Sequence, residues 1–325
     1  DAGEILYDLT IVENHASQAH KAFIILSIPQ YEEIFLPNFR NGDVVVLYER
    51  NNGTDNVTNK MVFKGNIESI TDNELRIRLR AAQQNPLVFP ENSRYAVEHD
   101  TMDTTFRSMY LGLSSFMDAN PERRELLLGQ RPPRFDMAYE DRIARTTDDF
   151  ERVALKAEAA CDYFLLVGPP GTGKTSRALR RMVEHFYACP STQVLLLAYT
   201  NRAVDEICRS LSAILPQVDY IRVGSELSCD ARFRKHLLEN VLAECNNRRE
   251  VNIRMADCRI YVGTVASIAS KPELFKLKHF DVAIVDEATQ ILEPQLLGIL
   301  CARFKDGRNG IGKFILIGDH KQLPA

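Results

Sequence analysis

The sequence predicts an α/β protein, a parallel sheet covered by helices on both faces and preceded by a small β-barrel. Three observations carry that expectation. From residue 150 onward, short apolar runs alternate with amphipathic stretches, the order that builds parallel sheets. Residues 22–100 instead hold a series of short strands divided by turn chemistry, as small barrels do. Between an apolar run and an amphipathic one stands the glycine-rich octapeptide Gly168-Pro169-Pro170-Gly171-Thr172-Gly173-Lys174-Thr175.

The barrel strands are expected at AFIILSI (22–28), DVVVLYE (43–49), MVFKGNIESI (61–70), ELRIRLR (74–80) and YAVEH (95–99). Leu75, Ile77 and Leu79 alternate with Arg76, Arg78 and Arg80, giving one apolar and one basic face. The basic face reads better as a solvated strand surface than as a phosphate track. Met102, Phe106, Met109, Tyr110, Leu113, Phe116 and Met117 then fall on one helical stripe, read as core packing. Asn120-Pro121 ends it, ERRELLLG reads as a second, shorter helix, and Arg131-Pro132-Pro133-Arg134 as a linker. Parallel strands follow at 163–167, 194–198, 220–223, 259–264, 281–286 and 314–319. Their near-continuous apolar runs suit strands covered on both faces. The helix after the first of them carries Ala178, Leu179, Met182, Val183 and Phe186 on one face.

Composition bounds what such a chain can be. Its 325 residues suit two domains, and 45% hydrophobic with 26% charged residues exclude a disordered tail or a coiled-coil rod. The net charge of −4 leaves nucleic-acid binding, if any, to local patches. No apolar run is long enough to span a membrane, and the N-terminal DAGEILYDLT lacks a signal-peptide pattern. Seven scattered cysteines with no C-x-x-C pair argue against a disulfide framework or a zinc site. They fit a reducing compartment, so an intracellular location is expected, cytoplasmic or, in a eukaryote, nuclear.

The octapeptide fits G-x-x-x-x-G-K-[ST], the phosphate-binding loop. Glycines let backbone N–H groups turn inward onto phosphate oxygens, and the following helix points its positive end at the anion. Lys174 reaches the β- and γ-phosphates and the Thr175 hydroxyl reaches Mg²⁺. Asp286-Glu287 end an apolar strand at the sheet's carboxyl edge, where ligands of open α/β sheets bind. Asp286 suits the Mg²⁺ shell and Glu287 suits polarising an attacking water. Gly318-Asp319-His320-Lys321-Gln322-Leu323-Pro324 closes a third strand at the same edge, equally well read as a γ-phosphate sensor or a plain loop.

GPPGTGKT, DEATQ and GDHKQLPA, in this order, resemble motifs I, II and III of the superfamily 1 helicases, and AYTNRAVD (198–205) resembles motif Ia. GTVAS (263–267) resembles the next nucleic-acid-contacting motif. Within the superfamily the sequence is most similar to the branch of the nonsense-mediated-decay RNA helicase and the replication helicase/nuclease. The resemblance implies a RecA-like P-loop NTPase with ATP and Mg²⁺ as cofactors and single-stranded nucleic acid as partner, DNA slightly favoured over RNA. It implies that Gly168 through Thr175 hold the nucleotide, Lys174 and Glu287 act in catalysis, Thr175 and Asp286 hold Mg²⁺, and Gln322 contacts the γ-phosphate. Thr200, Asn201, Thr264 and His320 would touch the strand. In this branch a barrel sits on a helical stalk above the first motor domain, which implies a barrel over 1–100, stalk and linker over 101–137, and a motor domain over 138–325.

Two departures stand out. The family carries an adenine-reading glutamine about seventeen residues before the first glycine of motif I; here that position is Glu151, which accepts from the adenine amino group but cannot donate to the ring nitrogen. The chain ends directly after motif III, so a second motor domain with its arginine finger is expected beyond it, and the piece alone is expected to be weakly active. A P-loop kinase and a strand-binding scaffold with a degenerate ATPase remain the alternatives. In Arg232-Phe233-Arg234-Lys235-His236, a surface helix face is a better reading than a base-stacking patch.

Overall fold

The computed structural model describes residues 4–18, 22–31, 38–90, 92–100, 104–214, 217–319 and 321–322. The chain divides into two compact units, Asp1–Asp103 and Thr104–Ala325.

The first unit is a closed antiparallel barrel of β1 (Ile5–His15), β2 (Phe23–Ser27), β3 (Val44–Glu49), β4 (Val62–Ile70), β5 (Glu74–Leu79) and β6 (Tyr95–His99), in the order β1-β2-β5-β4-β3-β6. Period-two alternation turns Leu26, Leu47, Ile67, Leu75, Ile77 and Val97 inward, all wholly buried. Five strands lie where the sequence predicts them. The sixth, β1, pairs with both β2 and β6 and closes the barrel, so neither is left an open edge. Its alternation is broken by two register shifts and by Asp8 at φ 56°, which hides the strand from a periodicity search. On the basic face, Arg76 and Arg78 both pair with Glu68, and Arg76 lies 3.8 Å over the Phe23 ring. Glu68 thus offsets part of the charge on that face.

The second unit holds six parallel strands, β7 (Tyr163–Val167), β8 (Val194–Ala198), β9 (Tyr220–Val223), β10 (Ile260–Thr264), β11 (Phe280–Val285) and β12 (Ile311–Gly318), ordered β7-β12-β11-β8-β10-β9. One face packs on α4 (Asp149–Ala159), α5 (Arg180–Ala188) and α6 (Asn201–Ser212), burying Ala178, Leu179, Met182, Val183 and Phe186 as expected. The other packs on α9 (Val265–Ala269), α10 (Glu273–Leu277) and α11 (Glu293–Leu300). β8 and β10 are buried along their whole length. β7 is the exception: it forms an edge paired only with β12, and Leu165 and Val167 are 54% and 59% exposed.

The predicted helical stripe needs correction. α1 (Thr104–Met117) lies against α11, but through its smallest residue. A Cβ on Gly112 would stand 1.8 Å from the Pro294 carbonyl oxygen, so only glycine permits this approach. Tyr110, Leu113 and Met117 point away, 73%, 43% and 72% exposed; Met109 and Phe116 are half-buried. Met102 lies outside the described residues.

Three cations, Arg123 and Lys278 buried and Lys313 half-buried, pin the surroundings of the sheet. Arg123 of α2 (Pro121–Leu127) donates to the Ile311 and Gly312 carbonyls at 2.6 and 3.0 Å. Lys313 caps the end of α4 on three carbonyls at 2.7–3.0 Å, and Lys278 likewise caps α8 (Arg248–Asp257) at 2.8–3.2 Å. The predicted linker is held where Arg131 and Arg134 both bond the buried Asp162.

Candidate active site

All the chemistry-bearing loops leave the carboxyl ends of β7, β12, β11 and β8, four neighbours in the sheet. They enclose a cleft of about 380 Å³ lined by the glycine-rich loop, Lys174, Thr175, Asp286, Glu287, Asp319 and Gln322. The loop takes its shape from Gly171 and Gly173, at φ 78° and 84°, where side chains are strained. It runs into a π-helical turn over Lys174–Leu179 and then into α5. Wide turns of this kind gather at functional sites. The Lys174 ammonium folds back onto the Gly168 and Pro169 carbonyls. Thr172 Oγ1 donates to Pro169 O at 2.8 Å and braces the bend.

Asp286 sits at the end of β11 with only 2% exposure. Its N–H donates to Leu197 O of β8 at 2.8 Å, and its carboxylate accepts from Thr175 Oγ1 at 2.5 Å. Burial raises its pKa, while Thr175, the Glu287 N–H and Lys174 pull it back. Glu287 follows in the left-handed region, φ 53°, a strained state for a non-glycine residue. Burial and the Asp286 charge push the Glu287 carboxyl upward, against Arg202 and Lys174. Gln322 donates its N–H to Asp319 O at 3.1 Å on the far rim, while His320 lies outside the described residues.

Other expected residues lie apart. Glu151 does not line the cleft: its carboxylate is held by Arg181 at 3.3 Å and His185 at 3.0 Å on α5. Thr200 follows β8 by two residues and Thr264 ends its neighbour β10, and both serve as helix N-caps; Thr200 Oγ1 accepts from Ala203 N and Thr264 Oγ1 from Ser267 N, at 3.1 and 3.0 Å. Exposed Thr200 and half-buried Asn201, at the start of α6, form a ledge beside the cleft that Ala203 lines, whereas Thr264 is buried. Phe233 is buried in the core, and Arg232 and Arg234 pair with Asp230 and Glu226, so that segment offers no stacking ring. Ala203, Glu206 and Ser210 of α6 and Thr289 also line the cleft. Sequence reasoning passed over them, although 203, 206 and 210 share a helix face.

A family model described as "AAA domain" matches residues 146–257 and 247–325. The chain belongs to this family, in the superfamily 1 helicase branch of the nonsense-mediated-decay RNA helicase and the replication helicase/nuclease. It is similar to the DNA replication ATP-dependent helicase/nuclease DNA2 of Gallus gallus, 28% identical over 72% of this chain and 24% of that protein. The Xenopus laevis protein of that name is 37% identical over 50% of this chain and 14% of its own. The putative ATP-dependent RNA helicase ECM32 of Saccharomyces cerevisiae is 28% identical over 63% of this chain and 21% of its own. This helicase chain thus spans about a quarter of the length of the curated relatives it matches. The UvsW helicase of bacteriophage T4 aligns over 57% of this chain and 62% of its own, with a TM-score of 0.37 and 10% identity. The fold assignment rests on the strand order itself.

The residues of the cleft fit the cofactors this helicase family implies. Glycine backbone and Lys174 suit phosphate, and the adjacent oxygens of Thr175 and Asp286 suit Mg²⁺, which takes few protein ligands and keeps phosphate oxygens and waters. Among the described residues no three His, Cys, Asp or Glu side chains converge as a metal cage. Nor, among them, is any helix of this helicase chain long and apolar enough to cross a membrane.

Proposed function

We propose that the chain is the first motor domain and accessory barrel of an ATP-dependent helicase or translocase, hydrolysing Mg-ATP in response to a bound single strand. The observation that carries this reading is the Thr175–Asp286 hydrogen bond, which joins the phosphate loop to the acidic strand end beside Glu287. In this reading Gly168, Pro169, Pro170, Gly171, Thr172 and Gly173 wrap the phosphates and Lys174 neutralises their outer oxygens. Thr175 and Asp286 hold Mg²⁺, which offsets the charge developing on the transferred phosphoryl group. Glu287 orients and deprotonates the attacking water, and its upward-shifted pKa suits a base. Gln322 reads the γ-phosphate.

Thr200, Asn201, Thr264 and His320 contact the strand's backbone. The capping threonines leave their helix N-termini aimed outward, which suits phosphate. We assign the barrel to residues 1–100, a stalk and linker to 101–137 and the motor to 138–325, with a second RecA-like domain in the complete protein supplying an arginine finger. DNA is favoured over RNA, in keeping with the several DNA replication helicase/nucleases among its relatives.

The test uses the longer parent protein. Mg-ATP hydrolysis is recorded alone, with single-stranded DNA and with single-stranded RNA, beside Lys174→Ala. Stimulation by DNA above RNA, abolished in the variant, is expected. Strand binding without hydrolysis would point to the scaffold, and hydrolysis indifferent to either strand would sink the helicase reading.

A further inference from the structure

The wall of the cleft opposite the phosphate loop comes from α6, through Ala203 and Glu206. This is the helix that opens at Asn201, directly after Thr200, on the strand-binding ledge. Its first turn carries Arg202, exposed and without an ion pair among the described residues. The Glu287 carboxylate accepts no hydrogen bond among them; its bonds are main-chain, its N–H donating to Asp286 Oδ1 at 3.0 Å and its carbonyl accepting from Gln290 N at 2.9 Å. The two segments are tied by main chain: β8 pairs with β11, Leu197 stands opposite Val285, and Asp286 N donates to Leu197 O. The cations whose charge reaches Glu287 are Arg202 and Lys174, and Lys174 is committed to the loop and its phosphates.

An unpaired cation in the first turn of α6 and an unpaired carboxylate in the cleft therefore follow neighbouring strands, close enough for the charge of one to reach the other. We propose that Arg202 is the positioning residue that sets the Glu287 carboxylate when a single strand occupies Thr200 and Asn201. The strand seats the first turn of α6, the Arg202 guanidinium turns to the Glu287 carboxylate, and that carboxylate, otherwise free to rotate, is held in line for the water. Arg202 touches neither nucleotide nor water; it acts through Glu287. The inference rests on the helicase reading above and specifies how the strand controls turnover.

The test uses the full parent protein with Arg202→Gln and Arg202→Lys, thermal unfolding confirming that both variants fold. Hydrolysis is measured without strand and with saturating single-stranded DNA, and strand affinity by fluorescence anisotropy on a labelled oligonucleotide. Arg202→Gln is expected to lower the strand-stimulated kcat about 10–100-fold. Basal kcat, KM for ATP and strand affinity should stay within about threefold. Arg202→Lys, which keeps the charge, should recover a substantial part of the stimulation. A fall in strand affinity with kcat unchanged at saturation would overturn the proposal and make Arg202 a phosphate contact. Unchanged kinetics throughout would make it a solvated surface group. Absence of stimulation in the unaltered protein would instead remove the helicase reading on which the proposal stands.

Discussion

Glu287 and Asp286 are adjacent carboxyls with different surroundings, and they separate two tasks. Asp286 is buried against a hydroxyl and suits holding a cation; Glu287 is half-buried and strained, its carboxylate accepts no hydrogen bond among the described residues, and it suits moving a proton. Glu287→Gln keeps the shape but cannot accept a proton. In the parent protein it is expected to bind Mg-ATP within a few-fold of normal while strand-stimulated kcat falls by about 10²–10⁴, measured by nucleotide titration and steady-state hydrolysis. Asp162 makes a second residue-scale prediction. Hydrogen bonds from Arg131 and Arg134 hold its carboxyl well below the ordinary aspartate range, against its burial. A depressed folded pKa means the unfolded chain binds the proton first. The stabilisation is therefore full above about pH 4 and is lost as pH falls toward the folded value. Asp162→Asn should cost about 1–3 kcal/mol at neutral pH. In urea unfolding series carried from pH 6 to pH 3 the gap should hold down to about pH 4 and begin to narrow below it. The phosphate loop and the carboxylate pair were legible in the sequence because each is dictated locally, by its neighbours in the chain. Ala203 and Glu206 were not, because they meet the cleft only once β8 is placed beside β11.

At the scale of elements, apolar runs located five parallel strands together with their coverage. The sixth, β7, reads the same way but lies at an edge with Leu165 and Val167 exposed, whereas β9 at the other edge is buried, and no local pattern distinguishes the two. The helix α1 shows the converse failure. A stripe of Tyr110, Leu113 and Met117 reads as a buried face, yet the crossing with α11 is so close that Gly112 takes the contact and the stripe turns outward. Gly112→Ala should therefore destabilise the second unit by about 1–3 kcal/mol. Gly224→Ala, at a position with open space around the added Cβ, should change stability by less than about 0.5 kcal/mol. Differential scanning calorimetry of the two variants makes the comparison. β1 was missed for a related reason: its bulges shift the alternation, and its role is to close a barrel whose other strands are far along the chain.

The whole molecule has separate cores for its two units, one inside the barrel and one on each face of the parallel sheet. Residues 104–325 expressed alone are expected to unfold cooperatively and to bind a fluorescent Mg-nucleotide, since every residue of the cleft lies within them. Loss of binding in that fragment, with its fold intact by circular dichroism, would count against the assignment of the cleft.

The sheet order carries a consequence for how such a chain is made. β7, which launches the phosphate loop, has β12 as its one strand partner among the described residues, and β12 is the last of this sheet's six strands to leave the ribosome. Until some 150 further residues have been translated, the loop's strand has nothing to pair with, and its apolar side chains stand open to chaperones or to other nascent chains. A stop before residue 311 should yield a product that keeps β8, β10 and β11 together yet cannot hold nucleotide and is swiftly degraded. The cleft is thus assembled only once β12 has been made, and only a chain read through to β12 acquires a working phosphate site.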